Sequence, residues 1–293
     1  MLPSLKKPLG YIELPTGTKP IYMLNDIFLN YIFMKAHNWE KLRIIANIII
    51  EDCKTRNPQE TQHLQLILGK INVTTQYEYL LDPKNIIRTQ DIRIDHITQD
   101  KTTFLEFQNQ AFPIKPIKVR ALEYFGLSIG HSKGKIADQL WLLSENVPDL
   151  LHNEIFTTYT LVDNITNNPY PQSSSITFVS LTKLSQENTT AANLAKMLLG
   201  REYDTTNEII SSLSQDIEQE FSTFKEDKEI KTMMTVEERF RENAMAEGVE
   251  LGMMQGRLET AKKLLHLGLP LEQISEATDF SIEQLRKELF LDK

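Results

Sequence analysis

Asp91 is followed fifteen positions later by Glu106-Phe107-Gln108, an acid, a second acid and an amide at a spacing that can do chemistry. Two carboxylates brought together repel, and a hard divalent cation keeps both ionised. Magnesium favours one or two carboxylates with water and phosphate oxygens around them. Such an ion polarises a phosphodiester and lowers the pKa of an attacking water. Gln108 cannot act as a general base, but its amide can orient a water or a phosphate oxygen. Asp95 lies two alternations along from Asp91 and is an alternative ligand. His96, next to it, is a candidate acid–base partner for Asp91.

For these groups to meet, the chain between them must turn back on itself. Asp91-Ile92-Arg93-Ile94-Asp95 alternates polar and apolar residues, the period of a half-buried strand. Gln99-Asp100-Lys101 is polar and turn-like, and Thr102–Phe107 is a β-branched and aromatic run. The pattern predicts a hairpin with Asp91 and Glu106 on the same face, which Gln108 shares by the same period. Around it, helices are predicted over Leu24–Phe33, Leu42–Lys54, Gln62–Lys70 and Ile117–Ile129, with short strands at Gln139–Ser144 and Ser175–Leu181. Asn25 or Asp26 is the candidate cap of the first helix. Asn57-Pro58 breaks the second, and Asp163–Ser175 reads as a loop. Residues 20–200 therefore read as a mixed α/β unit.

The remainder is helical. Residues 205–231 are acidic, and Thr235-Val236-Glu237-Glu238 has the form of a capping box, predicting a fresh helix from there to Leu267, stopped by Gly268 and Pro270. Leu251, Met254, Leu258, Ala261 and Leu265 form a coiled-coil-like seam. Gly248, Gly252 and Gly256 recur every fourth residue and suggest the close approach of another backbone, so residues 248–265 are a candidate homodimer surface. Two short helices, Leu271–Ala277 and Ser281–Leu289, follow, with Ser281 and Gln284 as a second capping box and Asp279 at the turn between them. The expected division is residues 1–200 as the α/β domain, 201–234 as an acidic connector and 235–293 as a helical tail.

Composition narrows the function. The chain has 293 residues, 41% of them hydrophobic, ordinary for a globular protein. No apolar run reaches the length of a membrane span, and the first residues lack the apolar core of a signal peptide. A single cysteine, Cys53, forms no internal disulfide and no thiolate zinc cage, so a cytoplasmic setting is expected. The net charge of −8 argues against a simple cationic coat for nucleic acid. The imbalance sits in residues 201–293, with 12 Lys+Arg against 21 Asp+Glu. Residues 111–135 instead hold Lys115, Lys118, Arg120, Lys133 and Lys135 against Glu123 alone, a local excess of the kind that contacts phosphate. His131-Ser132-Lys133-Gly134-Lys135 lacks the spacing of a nucleotide-binding loop, so no nucleotide cofactor is expected.

In order along the chain these motifs resemble the recombination-promoting nucleases (Rpn family), transposase-like bacterial proteins of the PD-(D/E)XK nuclease superfamily. Asp91-Ile92-Arg93-Ile94 with Leu105-Glu106-Phe107-Gln108 looks like the family's D…ExQ core, with glutamine where the superfamily carries lysine. Asn25-Asp26-Ile27-Phe28 resembles its opening helix, Arg120-Ala121-Leu122-Glu123-Tyr124 the helix after the core, and Ser180-Leu181-Thr182-Lys183-Leu184 a later strand. The glycine-repeat helix and Ile274-Ser275-Glu276-Ala277-Thr278 resemble its tail. Ser180 and Asp279 depart from the pattern, and residues 125–170 match poorly. The resemblance implies a restriction-endonuclease-like α/β fold, a mixed sheet flanked by helices and followed by a C-terminal helical tail. It implies a Mg2+- or Mn2+-dependent endonuclease acting on DNA. Asp91 and Glu106 would be the metal ligands, and Gln108 would complete the catalytic set. Arg120, Tyr124, Lys118 and Asp26 would be accessory, with Arg120 the better candidate for a phosphate contact. Against this, Asp26 read alone is a helix cap and Tyr124 a packing residue.

Overall fold

The computed structural model describes residues 7–59, 61, 64–80, 87–97, 100–108, 117–131, 135–145, 147–162, 165 and 174–288. The expected loop at 163–175 and the basic residues Lys115 and Lys133 lie largely outside that set. The chain divides into two units, Met1–Lys231 and Thr232–Lys293. Among the described residues no helix is long and apolar enough to cross a membrane.

The first unit opens with an antiparallel hairpin, β1 (Gly10–Leu14) and β2 (Gly17–Ile21). Helix α1 (Asp26–Phe33) is capped by Asn25, whose side chain accepts the Phe28 N–H at 3.0 Å. A 3-10 turn leads into α2 (Trp39–Arg56). Then come β3 (Ile71–Leu80), β4 (Ile87–His96), β5 (Lys101–Gln108), α3 (Ile117–His131), β6 (Ile136–Leu143), α4 (Pro148–Leu151), β7 (Phe156–Thr160), β8 (Ser175–Ser180), α5 (Leu181–Leu184), α6 (Thr190–Leu198) and α7 (Glu208–Phe224). The larger sheet has the order β3-β4-β5-β6-β8-β7. Its β5–β6 and β6–β8 pairs are parallel and the rest antiparallel. This is the mixed α/β architecture expected from the sequence.

Strands β5 and β6 are central, and nearly every side chain on them is buried. Helix α3 lies on one face, where Ile117, Ala121 and Tyr124 pack with Trp141, Leu143, Ile176 and Phe178. On the other face Ile92, Ile94, Leu105, Phe107, Leu140, Leu142 and Val179 are all buried. Two buried acids are held by charged or polar neighbours, as burial demands. Lys101 meets Asp138 at 2.6 Å, and the same aspartate accepts the Ser175 N–H and hydroxyl at 2.9 and 2.8 Å. In α7, Glu220 accepts bonds from Lys35, His37 and Asn38 at 2.7, 2.9 and 2.9 Å. Burial opposes ionisation of Glu220, but these donors outweigh it and hold its carboxyl down to about 2.

Residues 64–70 are not the helix expected there. They run irregularly alongside α2, whose side chains take the backbone bonds a helix would have made. Asn47 both donates to the Ile67 carbonyl and accepts the Ile67 N–H, and Lys54 donates to the Leu64 carbonyl. Burial of Leu64 and Ile67 decides the outcome over local spacing. Strands β1, β2, β3 and β7 have no counterpart in the sequence reading.

The second unit contains most of α8 (Lys228–His266), with α9 (Leu271–Thr278) and α10 (Ile282–Glu288). Helix α8 does not begin at Thr235. It begins seven residues earlier, where the Asp227 carboxylate accepts the N–H groups of Glu229 and Ile230. The sequence between holds no breaker, so the Thr235 capping box lies inside a continuous helix. Its other end is as expected: Gly268 turns at φ +83, with Gly268 N–H bonded to Leu265 and Leu269 N–H to Leu264. Asp279 adopts φ +55 between α9 and α10, and Ser281 and Gln284 cap each other reciprocally.

The expected seam is divided. Leu258, Ala261 and Leu265 pack inward on Ile274, Phe280 and Leu285, whereas Met254 is exposed. A Cβ added at Gly248, Gly252 or Gly256 would meet nothing within 4 Å, so among the described residues no other backbone approaches these glycines.

Candidate active site

Asp91 sits where the main-chain ladder ends on one side and is interrupted on the other. Toward β5 the register runs from Asp95↔Thr102 to Ile92↔Leu105 and ends there. Toward β3 it skips from Thr75↔Ile92 to Tyr77↔Gln90, and Gln76, opposite Asp91, has φ +48. A non-glycine residue at positive φ costs free energy and marks a local departure from the sheet. The backbone groups released by this break are taken by side chains. The Asp91 N–H donates to Glu106 Oε1 at 3.1 Å, and the Phe107 N–H donates to Asp91 Oδ2 at 2.8 Å. Each acid thus grips the other's strand, and the two carboxyls are fixed side by side at the carboxyl end of β5.

The register puts Asp91, Arg93 and Asp95 on the same face as Thr102, Phe104, Glu106 and Gln108, and this face is covered by α3. From the first turn of α3, Arg120 donates to Gln108 Oε1 at 2.9 Å and lies 3.5 Å from Glu106 Oε2. Its guanidinium is 5.3 Å from the Tyr124 ring and 5.6 Å from the Trp141 ring, whose planes stack on each other. Behind them Trp141 donates to Gln139, which donates to Ser128 on α3.

The electrostatics follow from burial. Glu106 is 1% exposed, and loss of water together with the charge of Asp91 lifts its carboxyl well above the usual range despite Arg120. Half-buried Asp91 is pushed to about 6 by loss of water, with the Phe107 N–H opposing the shift. Asp26 is the first residue of α1 and is exposed. It adds its negative charge to both and pushes them the same way. Burial works against the charge on Arg120, but Glu106, Tyr124 and Asp91 outweigh it.

Of the residues singled out from sequence, Asp91, Glu106, Gln108, Arg120 and Tyr124 come together, with Asp26 within electrostatic range. Lys118 is exposed on α3, and no described hydrogen bond or ion pair joins it to the cluster. Asp95 is engaged elsewhere: Arg93 holds both its oxygens at 2.9–3.1 Å and Thr102 adds a bond at 2.9 Å. His96 does not partner Asp91. It lies on the opposite face, buried, bonded to Thr103. Asn25, not Asp26, caps α1, and Ser180 caps α5 by accepting the Lys183 N–H. Gln76, Gln139, Trp141 and Ser128 were not anticipated. The polar Gln139 inside the apolar run of β6 was the one signal available, since a buried amide needs partners.

Among the described residues no three His, Cys, Asp or Glu side chains form a ready-made cation cage. The donor set is instead two carboxylates, with Asp91 Oδ1 accepting no hydrogen bond among the described residues. Hard oxygens of this number suit magnesium or manganese, which draw their remaining ligands from water and phosphate. Comparisons of the chain with family models, with curated proteins and with solved structures returned no match.

Proposed function

We propose that this chain is a metal-dependent DNA endonuclease, with Mg2+ or Mn2+ held by Asp91 and Glu106. The observation that carries the reading is the reciprocal grip of these two acids at the break in the sheet. It holds two carboxyls together at an energetic disadvantage that a divalent cation removes. The ion's chemistry there is to polarise the phosphodiester and to lower the pKa of the attacking water. Gln108 stands beside the acids as a neutral hydrogen-bonding group for the phosphate or the water. The order of motifs resembling the Rpn family adds DNA as the substrate and a bacterial cytoplasm as the setting.

The test is nicking of supercoiled plasmid with Mg2+ or Mn2+, with EDTA as control. Asp91→Asn and Glu106→Gln keep the hydrogen bonds to Phe107 and Asp91 while removing charge, so they fold. Both are expected to abolish cleavage. Undiminished cleavage by the two purified variants overturns the assignment.

A second reading is a catalytically silent recruitment module acting through the C-terminal helices. The exposed Val249, Met253 and Met254 on α8 favour it, and the acidic balance of residues 201–293 makes its partner a protein, such as a second copy through 248–265. It requires no dependence of any activity on Asp91.

A further inference from the structure

We propose that Lys183 and Ser144, at the carboxyl ends of β8 and β6, form a second phosphate subsite, and that Lys183 supplies the cation gripping the DNA phosphate next to the one being cut. This rests on the phosphodiesterase reading and assigns where the neighbouring part of the strand is held. Strands β5, β6 and β8 run parallel, so their carboxyl ends share one edge of the sheet. In open α/β sheets ligands bind in the crevice outside such an edge. Glu106 and Gln108 already stand there, at the end of β5.

Two hydrogen bonds lead from that end to Lys183. The Ser144 N–H donates to the Gln108 carbonyl at 2.9 Å, and the Thr182 hydroxyl donates to the Ser144 carbonyl, which seats α5 against the edge. Lys183, the next residue of α5, is half-buried, and its ammonium makes no hydrogen bond or ion pair among the described residues. Glu187, four residues on, is turned to Arg56 at 3.4 Å. Lysines drawn out of water elsewhere in this unit are committed: Lys35 to Glu220, Lys101 to Asp138 and Lys54 to the Leu64 carbonyl. A packed stem with an uncommitted head offers an anion a cation whose conformational freedom is already reduced. Ser144 adds a second unspent group. It is 3% exposed, and its hydroxyl has no partner among the described residues. A buried hydroxyl left unpaired is costly, and a ligand oxygen or a bridging water satisfies it.

The cations singled out from sequence do not fill this role. Arg120 is held by Gln108 and Glu106, and Lys118 is exposed without a described bond to the cluster. Two strand spacings, roughly 10 Å, separate β8 from β5. Arg120 accordingly bears on the charges of Asp91 and Glu106, whereas Lys183 does not. That separation suits a neighbouring phosphate rather than the one at the metal, and a contact of this kind fixes the register of the strand.

The experiment counts the phosphate contact. Lys183→Gln removes a charge and leaves no acid unpaired, so it folds. Duplex binding across a salt series, with Ca2+ in place of Mg2+, should lose about 1 from its slope in this variant, because one fewer counterion is released. In plasmid nicking the loss should fall on KM, raised about 10-fold, rather than on kcat. Lys183→Arg keeps the charge and should restore the wild-type slope. Ser144→Ala removes a neutral donor and should weaken DNA binding at unchanged slope without lowering the melting temperature. An unchanged slope and KM in Lys183→Gln, a fall in kcat with neither of them altered, or wild-type binding by Ser144→Ala overturns the proposal. Should the wild type bind no DNA, the nuclease reading fails on its own, and the subsite is then read with inorganic phosphate at constant ionic strength. A rise in melting temperature that Lys183→Gln loses keeps the anion site for free phosphate, and an equal response in both proteins removes it.

Discussion

Removing the charge of Asp91 should make the metal-free protein more stable, and only above acidic pH. The carboxyl ionises near 3.8 in an unfolded chain and at about 6 in the fold. Because the folded value is the higher one, the unfolded chain releases its proton first as pH rises. Below 3.8 both states hold the proton and nothing is lost. Between 3.8 and 6 the folded state is progressively disfavoured, and above 6 the full penalty is present. A difference of this size corresponds to about 3 kcal/mol. Asp91→Asn keeps the acceptor for the Phe107 N–H and removes the penalty. For a folded unit of this size its melting temperature at pH 7.5 in EDTA should exceed the wild type's by about 6–12 °C. Near pH 3 the difference should vanish. Added Mg2+ at 100 times its Kd should return about 2.7 kcal/mol to the wild type and leave the variant unmoved. Thermal melts across pH, with and without the ion, decide the matter. A variant no more stable than wild type at pH 7.5, or a gain that persists at pH 3, refutes the reasoning about burial and charge at this site.

Lys101→Met leaves Asp138 buried with its charge unpaired and should cost about 3–5 kcal/mol in urea unfolding, whereas a loss under 1 kcal/mol would show that the Lys101–Asp138 contact does not form. Gly252→Ala, in an exposed helical position with open space around it, should stabilise α8 by about 1 kcal/mol. A destabilised Gly252→Ala at micromolar concentration would instead reveal a partner's backbone against that face.

How much of this was legible in the sequence depends on the range of the forces involved. The hairpin of β4 and β5 was readable because Asp91-Ile92-Arg93-Ile94-Asp95 and Thr102–Phe107 each carry their own period, and register across a short turn follows from it. The same holds for the ends of the tail helices, where Gly268, Asp279 and the Ser281–Gln284 pair act on their immediate neighbours. Residues 64–70 defeated the same logic. Their apolar spacing suits a helix, but their backbone partners are Asn47 and Lys54, side chains on an element already folded, and no local pattern announces that exchange. Thr235 failed for the opposite reason: its capping motif is genuine, but a cap acts only where a helix starts, and Asp227 had started it already.

The candidate site shows the same division within a few ångströms. That Asp91 and Glu106 share a face is period-two arithmetic. That each acid takes a main-chain N–H of the other's strand goes with the end of the β4–β5 ladder at Ile92↔Leu105, which no residue type announces. The break matters chemically. In an unbroken ladder the Asp91 and Phe107 amides would be spent on carbonyls, and the carboxyls would have no fixed donors to hold them together.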